Sequence, residues 1–136
     1  MTGGTTCELL PGNANLLPSA PGGGSCTAVF GAASAPVTEA RACLGTLKAM
    51  LTSGCAQGGL LVPCYCGQAD PAGCQAGTAA PEGPLVPEFD CDFGTTDAPT
   101  VFNDLSVSGN LGAAGAANIV QCLAAAAACP TPCPLH

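Results

Sequence analysis

The stretch that decides the fold runs from Cys43 to Cys91 and reads CLGTLKAMLTSGCAQGGLLVPCYCGQADPAGCQAGTAAPEGPLVPEFDC. It contains six of the eleven cysteines, together with the only lysine and the only tyrosine of the chain. Cysteine at about 8% of residues is typical of a scaffold that is held together by disulfides. We therefore expect the cysteines of the two flanking segments to be bonded to this central stretch.

Every cysteine of the chain is a disulfide candidate on this interpretation. The candidates are Cys7, Cys26, Cys43, Cys55, Cys64, Cys66, Cys74, Cys91, Cys122, Cys129 and Cys133. Cys64 and Cys66 lie two residues apart, about 6–7 Å in an extended segment, so we expect each to have a different partner. We predict at least four disulfides within the chain. Because eleven is an odd number, one cysteine can bond its own copy across a two-fold contact. In a polar fibre we expect instead a buried free thiol or a bond to something outside the chain. Cys7 is the first choice for the intermolecular bond and Cys133 the second.

The composition explains why covalent bonds are needed. The 136 residues are 8% charged and 4% aromatic, and much of the hydrophobic content is alanine and cysteine. Such side chains bury little area, so the core is expected to be weak for its size. The net charge is −7, with Arg41 and Lys48 as the only cations. Two cations cannot form a basic patch, which excludes binding to nucleic acid or to an anionic membrane surface.

Disulfides also indicate the compartment, because they persist in oxidising surroundings. We therefore predict an extracellular or cell-surface location. The opening residues MTGGTTCELLPG lack the basic region and the apolar run of a signal peptide, so we expect either a leader that has been removed or a recombinant start. No apolar run reaches the ~18 residues of a membrane helix, and no membrane span is predicted.

The fold class predicted from these features is a small, disulfide-rich, mainly α protein with long irregular loops and an extended N-terminal arm. Residues 1–36 are rich in proline and glycine and are predicted to form the arm, with one short strand at 27–30. Residues 37–136 are predicted to form a disulfide-stapled helical domain.

Two good helices are predicted in that domain. Residues 37–53 can be capped by Thr38 or Ser34, and Gly54 is suited to end the helix. The apolar stripe expected to face the core consists of Val37, Ala40, Leu44, Leu47 and Leu51. Residues 116–128 are rich in alanine, which has the highest helix propensity, and we expect this second helix to pack against the first.

The connection between the two helices is interrupted by prolines and glycines. Residues 56–98 are therefore predicted to be loops, with one short strand at 60–62. A short helix is predicted to follow, capped by Asp97 or Thr100, with an apolar side that includes Val101 and Leu105.

Possible metal ligands are better explained by disulfide bonding. The soft ligands are Cys64, Cys66, Cys129, Cys133 and His136. No Cys-x2-Cys pair occurs, His136 is the only histidine, and the Cys-x-x-Cys-His of covalent haem attachment is missing. We predict neither a metal ion nor another cofactor.

A group of acids raises the possibility of a calcium loop. They are Glu88, Asp90, Asp92, Asp97 and Asp104. The sequence Asp90-Cys-Asp92-Phe-Gly94 begins like such a loop, but Thr95 then stands where a glycine is required. We therefore expect solvated loop acids and helix caps.

The residue patterns of common enzymes are also missing. There is no Gly-x-Ser-x-Gly sequence, and a nucleophile would have to recruit the terminal His136 as its base. The Cys-x-x-Cys of a redox-active dithiol does not occur. We predict that the protein is not an enzyme and has no catalytic residues.

One group of sequences has similar cysteine motifs. The elements are Cys43-Leu44, Ser53-Gly54-Cys55, Pro63-Cys64-Tyr65-Cys66-Gly67, Cys74, Thr95-Thr96-Asp97-Ala98-Pro99, Gln121-Cys122-Leu123 and Cys129. Over about residues 40 to 130 the chain resembles secreted cysteine-rich proteins of myxobacterial type, and Cys-Tyr-Cys-Gly is the most specific element. The resemblance implies secretion and disulfide bonding, and it implies no activity or ligand.

Two functions fit these predictions. The first is a non-catalytic extracellular subunit that assembles with copies of itself into a filament or a surface layer. Few charges, many small residues and an extended arm that could lie on a neighbour all favour it. The alternative is a secreted monomeric binding or adhesion module, in which residues 56–98 present the ligand surface.

Overall fold

The computed structural model of the chain describes residues 7, 10, 12–20, 23–32, 34, 36–56, 60–107 and 111–124, except for the side chains of 122–124. This part of the chain contains seven helices and no β-strand. They are α1 (Cys26–Val29), α2 (Glu39–Ser53), α3 (Val62–Cys66), α4 (Pro71–Ala76), α5 (Val86–Phe93), α6 (Ala98–Val107) and α7 (Gly112–Ala124). The predicted class, a small mainly helical protein rich in disulfides, is confirmed.

The longest helix, α2, forms as its end signals predict. The Thr38 hydroxyl accepts a hydrogen bond from the Arg41 N–H at 3.0 Å. Gly54 ends the helix in the left-handed conformation, with its N–H donating to the Met50 carbonyl. The predicted helix at 37–53 is therefore confirmed.

The buried side of α2 agrees with the predicted apolar stripe only in part. The side chains that face the core are Glu39, Ala42, Cys43, Thr46, Leu47 and Met50. The assignment of Val37 and Leu47 to the core is confirmed, whereas Leu44 and Leu51 are 44% and 57% exposed, so their assignment was wrong. The inner side carries the small residue Ala42 where α7 approaches α2 closely.

That close approach is visible at the first residue of α7. A methyl group on Gly112 would lie 2.5 Å from the Glu39 carbonyl oxygen and 2.6 Å from the Cys43 nitrogen. Only glycine fits between the two helix backbones. The predicted packing of α7 against α2 is confirmed, although α7 begins at Gly112 rather than at residue 116. Its predicted continuation over 125–128 lies outside the described residues.

The region predicted as loops contains three of the short helices, so that prediction was wrong for α3, α4 and α5. Each has a proline in its first turn, where the missing N–H has no helical partner to lose. The strand predicted at 60–62 does not form, because Val62 already belongs to α3. The short helix predicted after residue 97 is confirmed as α6, and Asp97 accepts a hydrogen bond from the Thr100 N–H.

The N-terminal segment contacts the beginning of α2. Asn13 pairs with Thr38 in an isolated antiparallel bridge, and the Ala14 N–H donates to the Val37 carbonyl at 2.7 Å. The strand predicted at 27–30 was wrong: residues 26–29 form α1, because the Ser25 hydroxyl caps that turn by accepting from the Thr27 N–H. The domain boundary at residue 36 stays a prediction.

Four disulfides join these elements. They are Cys7–Cys43, Cys26–Cys91, Cys55–Cys64 and Cys66–Cys74. The predicted minimum of four is thus confirmed, and Cys64 and Cys66 have different partners as expected. The choice of Cys7 as the cysteine that bonds a neighbouring copy was wrong, because Cys7 is bonded to α2 of its own chain. The thiols of Cys122, Cys129 and Cys133 lie outside the described part.

Two groups of buried side chains form the core. Tyr65, Leu85 and Phe89 are fully buried in the larger one, which also receives residues from α2, α6 and α7. Phe30 and Cys91 belong to the smaller group, beside α1 and α5. The two long-range disulfides each reach one group, Cys7–Cys43 the larger and Cys26–Cys91 the smaller.

Candidate functional site

The most unusual polar contacts of the molecule lie where α2, α5 and α7 meet. Glu39, the first residue of α2, and Asp92, near the end of α5, are only 4% and 2% exposed. Glu39 Oε1 accepts from the Gly112 N–H at 2.8 Å, and Asp92 Oδ2 accepts from the Ala113 N–H at 2.7 Å. The two acids therefore bind the first two N–H groups of α7, which have no partner within that helix.

The carboxyl of Asp92 holds its proton more strongly than a solvated acid does. Burial, a side-chain hydrogen bond to Glu39 and the charge of Glu39 raise the pKa of Asp92 to about 8, against the opposing effect of the Ala113 N–H. Asp92 Oδ1 has no hydrogen-bond partner among the described residues. Asp92 is therefore protonated at neutral pH.

A third buried acid, Asp90, is bonded to the only tyrosine. The Tyr65 hydroxyl donates to Asp90 Oδ1 at 2.6 Å, and neither side chain is more than 2% exposed. Burial raises the pKa of Asp90 to about 6, although the bond from Tyr65 acts in the opposite direction. Burial also raises the pKa of Tyr65, so its hydroxyl keeps the donated proton. The Tyr65 ring is fixed between Phe89, stacked at 6.0 Å, and Phe102, edge-on at 5.6 Å.

These acids have a structural task. A carboxyl with a pKa near neutrality suits acid–base catalysis when a substrate can reach it. Here Asp90 and Asp92 are enclosed, and Asp90 Oδ1 and Asp92 Oδ2 are already bonded to Tyr65 and to the backbone of α7. The arrangement can fix the angle between α5 and its neighbours, and it can respond to pH through the proton on Asp92.

The expectation of solvated loop acids was wrong for Asp90 and Asp92. They lie in α5, and the helix directs them to different partners. Asp97 is a helix cap, as expected. Glu88 is partly buried, which raises its pKa, and its Oε1 has no partner among the described residues. In the described ranges no three histidine, cysteine or acidic side chains are grouped so that they could hold a metal ion.

The meeting of Glu39 with Asp92 was missed in the sequence analysis. One signal was present in Phe89-Asp90-Cys91-Asp92-Phe93. Successive residues of a helix are separated by about 100°, so five of them surround the whole axis. If Phe89 and Cys91 face the core, the acids beside them cannot all reach solvent. A helical interpretation of this segment would have predicted buried acids.

A second feature is the outer surface of α2. Leu44 and Leu51 lie two helical turns apart on the same side of the helix, and we call them the outer leucine face. Lys48, which is exposed, stands between them. Elsewhere Leu60 and Val107 are 65% and 69% exposed. Burying one leucine against a partner stabilises the contact by about 1.5–3 kcal/mol.

No protein-family model, curated protein or solved structure matches the chain. None of the helices in the described part is long and apolar enough to cross a bilayer. The function has to be inferred from the chain's own surfaces and bonds.

Proposed function

We propose that the protein is a non-catalytic extracellular subunit that assembles with copies of itself into a filament or a surface layer. The observation that carries this proposal is the outer leucine face. Leu44 and Leu51 stay about half exposed on a helix whose other side is part of the core. Apolar side chains held on a rigid helix at this spacing suit a repeated protein contact.

The charges favour a contact between different surfaces of two copies. Lys48 lies between the two leucines and is one of only two cations, while the chain has nine acids. A two-fold contact through this face would bring Lys48 close to its own copy, which is unfavourable. A contact with an acidic surface elsewhere on the neighbour would pair the charges. Contacts between different surfaces that do not close into a ring produce filaments.

The disulfides favour the extracellular part of the proposal. In the described part of the chain, eight cysteines are bonded in four disulfides, and they join the N-terminal segment, α2, α3, α4 and α5. A chain with so little apolar area depends on such bonds, and the reducing cytoplasm would open them. The same bonds would keep a subunit intact outside the cell.

The experiment compares two aspartate variants of adjacent residues. Oxidised wild-type protein is examined by size-exclusion chromatography with light scattering and by negative-stain electron microscopy. We expect filaments or large assemblies for the wild type and for Thr52→Asp, which adds a charge at an exposed position of α2. Leu51→Asp adds the same charge within the outer leucine face and should yield dispersed subunits, because the apolar contact is lost.

Circular dichroism is needed to separate assembly from folding. Both variants should give the wild-type spectrum, because both positions are exposed. Wild-type protein that remains a monomer of 13.0 kDa at high concentration would reject the proposal and favour the secreted binding or adhesion module. Equal assembly of the two variants would reject the outer leucine face as the contact.

A further inference from the structure

The four disulfides differ in their exposure to solvent. Seven of the eight bonded cysteines are at most 4% exposed. Cys55 is the exception, because it is partly exposed. Exchange begins when a thiolate reaches one sulfur of the bond, so access is decisive for which disulfide reacts first.

We propose that the Cys55–Cys64 disulfide is a thiol-exchange site, at which an external thiol becomes covalently attached to Cys55. The attacking group is a thiolate, supplied either by a small thiol compound or by a cysteine of a second copy of this chain. The inference concerns a bond of the single chain and does not depend on the proposed assembly.

The exchange reaction needs no reagent other than the attacking thiol. A thiolate attacks Sγ of Cys55, the bond between Cys55 and Cys64 breaks, and Cys64 leaves as a thiolate that takes a proton from water. The product is a mixed disulfide at Cys55 and a thiol at Cys64. A second thiolate can attack the mixed disulfide and release Cys55, so two thiols are oxidised to one disulfide while the protein bond is reduced.

The disulfide presents only its Cys55 end to solvent. Cys55 follows Gly54, which ends α2, and its N–H donates to the Ser53 hydroxyl at 3.3 Å. Cys55 is partly exposed and packs against the larger core group, whereas Cys64 is fully buried. An attacking thiolate therefore approaches the bond from the side of Cys55.

Opening this bond should leave the rest of the fold in place. The carbonyls of Cys64 and Tyr65 still accept hydrogen bonds from the N–H groups of Leu85 and Gly83, at 2.9 and 2.8 Å. A side chain on Gly83 would collide with the Cys64 carbonyl, so these backbones are packed directly together. The exchange therefore releases the end of α2 from the beginning of α3 and alters nothing else directly.

The chain contains a matched control for this proposal. Cys66–Cys74 has a sequence separation of 8, against 9 for Cys55–Cys64, so the two bonds close loops of nearly equal entropy. They differ in exposure, since Cys66 and Cys74 are both completely buried. A difference in their reaction rates would therefore reflect the solvent exposure of the two disulfides rather than the lengths of the loops that they close.

The test treats folded, oxidised protein with glutathione in mildly alkaline buffer, alkylates samples over time and maps the cysteines by mass spectrometry. We expect a glutathione adduct at Cys55 and an alkylated Cys64, appearing at least about tenfold faster than any label at Cys66 or Cys74. Equal rates for the two bonds, or simultaneous opening of all four, would overturn the proposal.

A second experiment identifies the source of the thiol. Protein incubated without glutathione is run on a non-reducing gel, and any dimer is digested to locate its cross-link. A cross-link at Cys55 assigns the attack to a second copy, whereas adducts with glutathione and no dimer assign it to small thiols. The variant Cys55→Ser/Cys64→Ser should form no adduct and should keep the wild-type circular dichroism. If that variant does not fold, the wild-type mapping decides the question.

Discussion

The region from α3 to α4 and the beginning of α7 are held in place by different kinds of bond. In the first, two disulfides with short loops, Cys55–Cys64 and Cys66–Cys74, fix helices of five and six residues. In the second, the N–H groups of Gly112 and Ala113 are held by the buried acids Glu39 and Asp92. We call the first the stapled region and the second the acid junction.

Because of this difference, we expect the two regions to respond to different solution conditions. A disulfide stabilises mainly by restricting the unfolded chain, and its effect does not change with protonation of the folded state. The acid junction acts only in the folded state and depends on the proton held by Asp92. Reductant should therefore act on the stapled region, and pH on the acid junction.

The largest loss of stability is expected from a substitution that forces α7 away from α2 at the acid junction. In Gly112→Ala the new methyl group would collide with the backbones at Glu39 and Cys43. We expect a loss of about 3 kcal/mol in the free energy of unfolding, even though alanine is the better helix former. Urea denaturation measures it.

The control for this variant lies on the same helix. Asn118 is exposed, so Asn118→Ala should leave the unfolding free energy unchanged or raise it by a few tenths of a kcal/mol, through helix propensity alone. Equal stability of the two variants would mean that α2 and α7 do not approach as closely as described.

The next largest effect is the dependence of the free energy of unfolding on pH. The folded protein holds a proton on Asp92 up to about pH 8, whereas the unfolded chain releases it near 3.8. Stability from this group is thus complete below that lower value and falls as pH rises to about 8, at up to about 1.4 kcal/mol per pH unit. Asp90 and Glu88, whose pKa values are also raised, act with the same sign.

The variant Asp92→Asn tests this assignment. Its carbonyl can accept from Ala113, and its amide can donate to Glu39, so it imitates the protonated acid at every pH. We expect a flatter pH dependence, and a stability at pH 8 that exceeds the wild type by on the order of 1–3 kcal/mol. Thermal unfolding between pH 4 and 8 measures both quantities.

Asp92→Ala separates titration from hydrogen bonding. It removes the titrating group but leaves the Ala113 N–H without its acceptor, so it should be less stable than Asp92→Asn by about 1–3 kcal/mol at every pH. An Asp92→Asn protein whose stability keeps the full wild-type dependence on pH would contradict the raised pKa of Asp92.

The smallest loss of stability is expected from a substitution in the stapled region. Asp70 caps α4 by accepting from the Gly73 N–H at 2.8 Å, but it is exposed and Cys66–Cys74 also holds the helix. Asp70→Ala should lower the unfolding free energy by about 1 kcal/mol or less, and Asp70→Asn, which keeps the cap, by only a few tenths. A loss in Asp70→Ala as large as that in Asp92→Ala would remove the distinction between the two regions.

Helix α2 shows how far sequence reasoning extends. Its ends follow from Thr38 and Gly54, so both its existence and its length could be predicted. Its orientation could be predicted only in part, because Leu47 lies on the inner side whereas Leu44 and Leu51 do not. Close contact with α7 requires small residues such as Ala42, and that contact joins positions 73 residues apart in sequence, Glu39 and Gly112.

The sequence contains a helix-start signal for α3 and α5, which the loop prediction overlooked. Both begin after leucine with valine and proline, in Leu61-Val62-Pro63 and Leu85-Val86-Pro87. Proline was taken as a mark of loops, although the first turn of a helix tolerates it. The partners of Asp92 were beyond such local signals, because they belong to α2 and α7.

The order in which the cysteines are synthesised has a consequence for making this protein. If cysteines paired as they appeared from the N-terminus, the bonds would be Cys7–Cys26, Cys43–Cys55, Cys64–Cys66 and Cys74–Cys91. None of the four native bonds is among them. Cys7 has to stay unbonded past Cys26, and Cys26 has to wait for Cys91. A fast oxidant acting during synthesis would therefore trap wrong pairs, whereas slow oxidation after release, with a thiol present for reshuffling, favours the native set.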